Sequence, residues 1–275
     1  MQLPRLYIWQ NRLSKFIDYP FAVIPFLKKR LYYNTRADSY ISYYKNTTFL
    51  SYQDTINELI TNNRSIVRFG DDVFDMLLGI GLYFNDWHQR YDSALAIRLK
   101  EVLASREEKL LVCFNPEFIL KTKADFQAEG IGEQHQFWTH SKVFLKDYLQ
   151  PGQTYGSALC FQERYNPTLD YEKILHYLSQ KHLVIVASNT ARFAKQKFGT
   201  TTDYIEGPSS DAWFSYDQIM SDVKTVLEKY KKDDVLIMSS LGPTSKIMAL
   251  DLSRDGYTVW DTGQFFDLAL KRLTV

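Results

Sequence analysis

The chain has 275 residues, of which 45% are hydrophobic and 24% are charged, values typical of a globular protein with one large domain or two small ones. Its 33 basic residues are balanced by 32 acidic ones, so no overall field favours nucleic acid as a partner. Aromatic residues make up 15% of the chain. They are expected to fill the core or, alternatively, to line a site for sugar rings or bases.

Residues 1–49 are predicted to form an arm packed on a domain that spans residues 50–275. The first apolar stretch is too short for a secretory signal, and no window approaches the roughly 18 to 20 apolar residues that span a bilayer. We therefore expect a cytoplasmic protein. The stretch FIDYPFAVIPFLKKR (16–30) leaves two interpretations open: a packed arm with a solvated basic end, or a peripheral contact with an anionic surface at the inner face of the membrane.

From residue 50 onward, short apolar runs alternate with helical patterns, which predicts an α/β fold with a mostly parallel sheet. Ligands of open α/β sheets bind beyond the carboxyl ends of the strands, so the loops after these strands are the candidate site. Helices are predicted over residues 92–105, 135–149, 170–180, 217–232 and 245–256. Strands are predicted at SIVRFG (65–70), KLLVCF (109–114), YGSALCF (155–161), HLVIVAS (182–188), DVLIMSS (234–240) and YTVWDTG (257–263).

Cysteine and histidine usage argues against a disulfide-linked or zinc-binding protein. Cys113 and Cys160 lie in apolar runs without a CxxC partner, which predicts buried free thiols in a reducing compartment. The five histidines show neither HxxxH nor HExxH spacing, so no zinc site is predicted.

The stretch SSLGPTSK (239–246) places hydroxyls, a glycine and a proline at a helix start. Gly242 permits close backbone approach, and Pro243 suits the first helical turn, where its missing N–H is no loss. The free N–H groups and the helix dipole then favour a phosphate, and Lys246 adds positive charge. Ordinary helix capping is the alternative interpretation.

The stretch RFGDD (68–72) follows a predicted strand. Asp71 is a candidate ligand for a divalent cation that bridges a diphosphate, because hard cations prefer carboxylate oxygens. Asp72 either assists it or caps the helix that begins near Val73. A structural pair between Arg68 and Asp71 is a further alternative.

Two other loops carry polar groups that suit a nucleotide or a sugar. In VWDTGQ (259–264), Asp261 is a candidate acceptor for a ribose hydroxyl or a candidate base, although an aspartate before a glycine is common in turns. The loop EGPSSDAWFSYD (206–217) supplies Asp211, hydroxyls and aromatic rings. An ordinary loop that leads into a helix has a similar composition.

Five stretches, taken together and in order, resemble the motifs of the GT-D-type glycosyltransferases, a bacterial family first catalogued as a domain of unknown function. The similarity covers roughly residues 50 to 270. The matching stretches are RFGDDV (68–73), YGSALCF (155–161), PSSDAWFSYD (208–217), SSLGPTSKIMALDL (239–252) and DTG (261–263).

The resemblance implies a single Rossmann-like, doubly wound domain that binds a UDP-sugar. It also implies transfer of the sugar to a glycan on a bacterial surface adhesin or to a related polysaccharide. In the family, the acids of a D-x-E motif are expected to hold Mn²⁺ or Mg²⁺ against the diphosphate. By position, Asp71 matches the aspartate, Asp72 fills the spacer and Val73 stands where the glutamate is expected. Gln264 stands where relatives often carry a histidine, so any acid–base role of that histidine is lost.

Two accounts of the diphosphate site stay open. Asp72 substitutes for the missing glutamate, since Mg²⁺ keeps several waters and needs only one or two carboxylates besides phosphates. Alternatively, the metal is weak or absent, and the helix start at 242–246 holds the diphosphate with Lys246 or Arg68.

The prediction is therefore a glycosyltransferase that moves a hexose, glucose or galactose, from UDP to a glycan or glycoprotein acceptor, with other glycosyltransferases as candidate partners. Asp71 and Asp72 are predicted to be catalytic and metal-binding, and Ser209, Asp211 and Asp261 to lie near the nucleoside or sugar. The full set of predicted donor-binding residues is Arg68, Phe69, Gly70, Ser209, Asp211, Leu241, Gly242, Pro243, Thr244, Lys246, Asp261 and Gly263.

Two rival functions are retained. Val73 motivates a non-catalytic relative that binds a nucleotide or a glycan and supports a partner transferase. Another Rossmann-type enzyme, such as a dehydrogenase, is the second rival, and the missing GxGxxG motif counts against it.

Overall fold

A parallel β-sheet forms the centre of the computed structural model, which describes residues 23–84, 87–190, 201–263 and 265. Its strands are β1 (Thr48–Phe49), β2 (Ser65–Arg68), β5 (Leu110–Phe114), β6 (Thr154–Ser157), β7 (His182–Ala187), β8 (Thr201–Glu206), β9 (Val235–Ser240) and β10 (Thr258–Asp261). They lie in the order β1-β6-β5-β2-β10-β9-β7-β8, and every neighbouring pair is parallel. A separate antiparallel hairpin joins β3 (Leu82–Tyr83) to β4 (His88–Gln89).

Helices connect the strands and cover both faces of the sheet. Their bounds are Val23–Lys28 (α1), Asn34–Arg36 (α2), Ile41–Tyr44 (α3), Tyr52–Thr61 (α4), Val73–Leu77 (α5), Ser93–Leu103 (α6), Pro116–Ile119 (α7), Lys123–Ala128 (α8), His135–Leu145 (α9), Tyr171–Ser179 (α10), Tyr216–Leu227 (α11) and Pro243–Arg254 (α12). The architecture is a doubly wound parallel α/β sheet, and the predicted fold class is confirmed.

Alternate strand residues feed two apolar cores, one on each face of the sheet. On β2, Val67 packs into the core that is covered by α6, α11 and α12, whereas Ile66 packs into the core that is covered by α4 and α10. The central strands are buried on both faces, as expected of a parallel sheet. Cys113 and Cys160 lie fully buried and unbridged in the second core, as predicted.

The predicted strand at 155–161 is longer than the observed one. β6 ends at Ser157, and the chain continues through turns in which the Cys160 N–H donates to the Ser157 carbonyl oxygen at 3.3 Å. Phe161 is nevertheless fully buried, because its ring packs 5.7 Å from that of Trp260 on β10. A buried apolar run has the same composition in a turn and in a strand, so the pattern alone overestimates the strand.

Short helices at the N-terminal side pack on α9. Asp38 receives hydrogen bonds from Lys142 Nζ at 3.0 Å and from His135 Nε2 at 3.2 Å, and Thr139 Oγ1 donates to Asn34 Oδ1 at 2.8 Å. Residues 1–22 lie outside the described residues, and with them part of the stretch for which a membrane contact is predicted. Within the described ranges, no helix combines the length and the apolar character needed to cross a bilayer.

The two central strands, β2 and β10, diverge in their connections. After β2 the chain enters α5, whose Val73 and Phe74 pack in the first core, whereas after β10 Phe265 packs in the second core. Such a point of divergence is where open α/β sheets form a ligand crevice. The turn after β2, the start of α12 after β9 and the turn after β10 therefore meet beyond the carboxyl ends of adjacent strands.

Candidate functional site

A buried ion pair lies where β10 meets α12. Lys246 Nζ donates to Asp261 Oδ2 at 3.1 Å, and the two side chains are 6% and 4% exposed. The backbone N–H of Arg68 donates to the same carboxylate oxygen at 3.0 Å, which links β2 to β10. Because loss of either partner would leave an uncompensated buried charge, the pair fixes the relative positions of β2, β10 and α12.

The Arg68 guanidinium points away from the Asp71–Asp72 turn. Its Nε donates to the Asp261 carbonyl oxygen at 2.7 Å, and its Nη1 donates to the Ala158 carbonyl oxygen at 3.2 Å. Gly263, at φ +52°, covers this guanidinium so closely that an added Cβ would lie 2.1 Å from Nη2. Arg68 is therefore part of the scaffold, and the alternative of a structural pair with Asp71 is not found among the described contacts.

Two adjacent carboxylates form the turn between β2 and α5. Burial and the neighbouring Asp72 raise the pKa of Asp71 to about 6. Burial raises the pKa of Asp72 as well, although the ammonium of Lys246 opposes the shift. Asp72 Oδ1 accepts the Val73 N–H at 2.9 Å, so this residue caps α5, and an added Cβ on Gly70 would lie 2.8 Å from the same oxygen. The turn thus concentrates negative charge that the chain itself balances only in part.

A histidine that the sequence did not single out supports this turn from behind. His140 on α9 is 1% exposed, and its Nε2 lies 2.8 Å from the Asp71 carbonyl oxygen and 3.3 Å from Asp75 Oδ1. Burial lowers the pKa of His140 to about 4, so the imidazole is neutral near pH 7 and donates from Nε2. Lys29 Nζ closes the cluster at 2.6 Å from Asp75 Oδ1. No spacing in the sequence links position 140 to position 71.

The helix α12 starts in the way that the sequence predicts. Gly242 takes φ +58°, a value that favours glycine, and Pro243 occupies the first turn. Ser245 Oγ accepts the Leu241 N–H at 2.7 Å and shares a hydrogen bond with Ser239 Oγ at 2.7 Å, which holds the loop against the helix. The first N–H groups of such a helix, together with its dipole, attract an anion.

Thr244, in the first turn of α12, has a side-chain hydroxyl whose hydrogen bonding is incomplete. The residue is fully buried, and among the described residues its Oγ1 has no hydrogen-bond partner. A buried hydroxyl without a partner is uncommon and calls for a ligand or a water at that position. Thr244 is therefore a candidate donor to a bound phosphate.

Asp211 is engaged in holding the β3–β4 hairpin. Its carboxylate accepts the Arg90 N–H at 2.7 Å, Arg90 Nε at 2.6 Å and His88 Nε2 at 3.2 Å, and its own N–H donates to the His88 carbonyl oxygen at 2.8 Å. Although burial opposes the shift, the hydrogen bonds from Arg90 hold its pKa below the usual value. Ser210 Oγ accepts the His88 N–H at 3.0 Å, while Ser209 is exposed.

Three other predicted donor-binding residues have buried side chains. The side chains of Phe69 and Leu241 are 0% and 6% exposed, and Pro243 is buried too, so only their backbone atoms are positioned to contact a ligand. Gln264, for which the loss of an acid–base role was inferred, lies outside the described residues.

The donor atoms of the turn fit a hard divalent cation. Carboxylate oxygens are the ligands that Mg²⁺ and Mn²⁺ prefer, and positive charge at this position would offset the burial and the repulsion that raise the pKa of Asp71. In the part of the chain that the structure describes, no cluster of three histidine, cysteine, aspartate or glutamate side chains surrounds a metal position. Val73 packs in the core at 3% exposure. Phosphate oxygens and water would therefore complete the coordination of an ion held by Asp71 and Asp72.

These features define an open, doubly wound α/β protein with a candidate ligand site at the divergence of the central strands. The family model for the glycosyltransferase GT-D fold matches residues 66–267, and the chain belongs to this family. The family predicted from the five sequence stretches is thereby confirmed.

Curated relatives are streptococcal proteins. The chain is 30% identical over 233 residues to the probable glycosyl transferase Gly of Streptococcus gordonii, covering 78% of this chain and 31% of that protein. It is 26% identical over 221 residues to the glycosyltransferase GlyD of Streptococcus pneumoniae serotype 4, covering 76% of this chain and 26% of that protein. The chain thus spans about a third or less of the length of these two relatives.

Solved structures share the fold. A domain of unknown function 1792 with a distinct glycosyltransferase fold superimposes with a TM-score of 0.66 at 23% identity, covering 83% of this chain and 82% of that one. A glycosyltransferase of the same domain type from Streptococcus sanguinis gives a TM-score of 0.63 at 24% identity, covering 80% and 82% of the two chains.

Proposed function

We propose that this chain transfers a hexose from a UDP-sugar to a glycan acceptor. The observation that carries the proposal is the meeting of the Asp71–Asp72 turn with the start of α12, around the buried pair of Lys246 and Asp261. Membership of the GT-D family supports sugar transfer. The N-terminus of α12 suits the diphosphate of such a donor, and the adjacent carboxylate pair, whose charge is only partly balanced, suits a cation bound to that diphosphate.

In this proposal the first turn of α12 binds the diphosphate. The backbone N–H groups near Gly242 supply hydrogen bonds and partial positive charge, and the unpartnered hydroxyl of Thr244 adds one more donor. Lys246 is 5% exposed and bonded to Asp261, so its ammonium acts from behind the turn by balancing Asp72 and Asp261.

The reaction joins the oxygen of an acceptor hydroxyl to the anomeric carbon of the hexose and breaks the bond from that carbon to the β-phosphate oxygen. UDP leaves, and the proton of the hydroxyl is released. Hydrogen bonds that grow stronger as charge develops on the leaving diphosphate would accelerate this step. A divalent cation held by Asp71 and Asp72 would supply further neutralisation of that charge when it is bound. His140 keeps the turn in place through its contact with the Asp71 carbonyl oxygen.

The proposal is tested by incubating the full chain with UDP-glucose, UDP-galactose or UDP-N-acetylglucosamine, with and without Mn²⁺, and measuring released UDP. We expect release from a UDP-hexose above the spontaneous rate, and a further increase when simple methyl glycosides are present as acceptors. Binding of a donor without any release would instead indicate the second candidate function below. Absence of binding to UDP and to every donor would contradict the proposal.

The second candidate is a non-catalytic relative that binds a nucleotide or a glycan and supports a partner transferase. Val73 favours it, because a buried aliphatic side chain stands where the resemblance expects a metal-binding glutamate. The UDP-release assay separates the two candidates.

The acceptor is proposed to be a glycan on a surface glycoprotein or a related polysaccharide, as the resemblance implies.

A peripheral contact with an anionic membrane is proposed for the N-terminal side. Ile24 and Leu31 are 74% and 68% exposed there, and the exposed cations Lys28 and Arg30 lie between them. Flotation with vesicles of phosphatidylglycerol, compared with vesicles of phosphatidylcholine, tests this contact.

A further inference from the structure

Two stacked aromatic rings flank the tip of the β3–β4 hairpin. The ring centroids of Phe84 and Trp87 are 4.7 Å apart with an interplanar angle of 21°, and the Phe84 N–H donates to the Trp87 carbonyl oxygen at 2.9 Å. Phe84 is 50% exposed, whereas Trp87 is partly buried against the core that α12 covers. The pair therefore has an anchored ring on one side and a solvent-facing ring on the other.

Hydrogen bonds fix the strand that follows Trp87. The four hydrogen bonds between Asp211 and the residues His88 and Arg90, with the bond from the His88 N–H to Ser210, tie β4 to the loop after β8. The Arg90 guanidinium also lies 4.8 Å from the ring centroid of Phe214 in that loop. A surface fixed in this way loses little conformational entropy when a ligand binds to it.

The pair lies directly against the helix start assigned to the diphosphate. An added Cβ on Gly242 would be 3.4 Å and 3.5 Å from two atoms of the Trp87 ring. Glycine at this position therefore lets the ring approach the first turn of α12. The stacked rings border the same end of the helix that presents its free N–H groups.

We propose that Phe84 and Trp87 form a stacking surface for a pyranose ring next to the diphosphate subsite. A pyranose presents an apolar C–H face that packs on an aromatic ring, and aromatic side chains with few polar groups are typical linings of small-molecule sites. In a UDP-hexose the hexose is joined directly to the β-phosphate, whereas the base is separated from the α-phosphate by the ribose. A ring that borders the phosphate site is thus placed for the hexose rather than for the base.

The same surface serves either of two pyranoses. One is the hexose of the donor, and the other is the terminal sugar of the acceptor, which must approach the anomeric carbon of that hexose. The chemistry recognised is the same in both cases, and the experiment below distinguishes them. The inference rests on the proposed function.

The experiment compares wild type with Phe84→Ala, Trp87→Leu and Trp87→Phe. Tyr43→Ala is the matched control, because Tyr43 is 66% exposed and belongs to another aromatic pair, with Tyr40 at 6.0 Å. Calorimetry gives the Kd values of uridine, UDP, UDP-glucose and UDP-galactose, and an assay of UDP release is run with and without methyl glycosides of glucose, galactose and N-acetylglucosamine. Thermal unfolding of each variant checks that it is folded.

If the donor hexose stacks on the pair, Phe84→Ala and Trp87→Leu weaken the UDP-hexose about fivefold to tenfold and leave UDP and uridine unchanged, a loss typical of one stacked ring. If the acceptor sugar stacks, donor affinity is unchanged and the increase in UDP release caused by the glycosides is lost. In either case Trp87→Phe keeps most of the wild-type behaviour, and Tyr43→Ala keeps all of it.

An equal loss of uridine binding in Phe84→Ala would overturn the proposal in favour of a base-stacking surface. Wild-type donor affinity together with an unchanged response to the glycosides in both Phe84→Ala and Trp87→Leu would overturn it outright. A wild-type protein that binds and releases no UDP at all would instead contradict the proposed function, so the two failures are distinguishable.

Discussion

Two groups of charged side chains lie side by side at the carboxyl end of this sheet, and they differ in how completely they are bonded. Arg68, Lys246 and Asp261 form a cluster in which each charge meets a partner within the chain. Asp71 and Asp72 form a turn in which burial and mutual repulsion raise the pKa of Asp71 to about 6. Buried polar groups are normally satisfied, so the first cluster has the properties of a scaffold and the second those of a binding site.

The comparison changes the role expected for Lys246. From the sequence, its ammonium is a direct phosphate ligand. In the structure it is bonded to Asp261 and nearly fully buried, so the contribution that we propose for it is indirect, through the position of α12 and the charge near Asp72. The carboxylates and the unpartnered Thr244 hydroxyl are the groups left for a ligand.

The largest effect is expected from breaking the scaffold cluster. Lys246→Met leaves Asp261 charged and buried without its cation, and we expect a loss of about 3 to 5 kcal/mol in the free energy of unfolding. Urea denaturation measures it. Lys224→Met is the control, because Lys224 forms an exposed pair with Asp255 at 3.5 Å and should cost at most about 1 kcal/mol.

The Lys246→Met/Asp261→Asn double variant sharpens this test. Removing both charges should restore part of the stability lost in Lys246→Met, because no uncompensated charge is then buried. Strictly additive losses would show that the two residues do not act as a pair.

The next largest effect is expected at the glycine that covers Arg68. Gly263→Ala places a Cβ 2.1 Å from Arg68 Nη2 at a residue with φ +52°. We expect a loss of about 3 kcal/mol, from the left-handed backbone and from overpacking together. Gly152→Ala is the matched control: Gly152 has φ +78° but no atom within 4 Å of an added Cβ, so only the backbone penalty of about 1 kcal/mol applies. Equal losses in the two variants would show that the Arg68 contact is not tight.

The Asp71–Asp72 turn predicts a contribution to folding stability that falls as the pH rises. A carboxylate in a salt bridge has the opposite pH dependence. Because the pKa of Asp71 is raised from 3.8 to about 6 in the folded state, the native protein binds its proton more tightly than the unfolded chain. Stability from this group is present below pH 3.8 and is lost as the pH rises towards and through 6. Asp71→Asn should therefore gain stability relative to wild type between pH 4 and pH 7.5, by about 2 to 3 kcal/mol.

Denaturant unfolding of wild type and Asp71→Asn at the two pH values measures this difference. Both proteins share every other titrating group, so the comparison isolates Asp71. A difference between them that does not change with pH would contradict a raised pKa, and with it the contrast between the turn and the scaffold cluster.

A smaller effect is expected at the helix start. Thr244→Val removes a buried hydroxyl that has no partner among the described residues, so stability should change by less than about 1 kcal/mol. UDP affinity should fall about fivefold, as for the loss of one hydrogen bond to a charged group, while uridine affinity should be unchanged. Ser245→Ala is the structural counterpart, because Ser245 Oγ holds the Leu241 N–H, and it should lose stability instead. A stability loss in Thr244→Val that matches Ser245→Ala would assign both hydroxyls to the scaffold.

The sequence predicted the sheet and the loops at its carboxyl edge because these depend on local patterns. Apolar runs such as DVLIMSS and turn residues such as Gly242 and Pro243 act within a few positions, and their periodicity and backbone preferences are visible in the chain. The edge strand β8 was missed because Ile205 is its one buried residue, and the others are half-buried or exposed.

The partners across the site could not be predicted for a different reason. His140 contacts the Asp71 carbonyl oxygen over a separation of 69 residues, and Asp211 bonds to Arg90 over 121 residues. Such contacts are set by how helices and loops pack on the sheet, and no spacing in the sequence encodes them. The direction of the Arg68 side chain towards β10 rather than Asp71 is decided in the same way.

The most direct test of the account is calorimetry of UDP binding across a Mn²⁺ series, for wild type and for Asp71→Asn. We assign the Asp71–Asp72 turn to the binding of a cation and a diphosphate, and the cluster of Arg68, Lys246 and Asp261 to structural support. We therefore expect Mn²⁺ to tighten UDP binding to wild type by about tenfold, equivalent to about 1.4 kcal/mol, and to leave Asp71→Asn unchanged. A response of wild type to Mn²⁺ no greater than that of Asp71→Asn would contradict the assignment of the turn as the metal site.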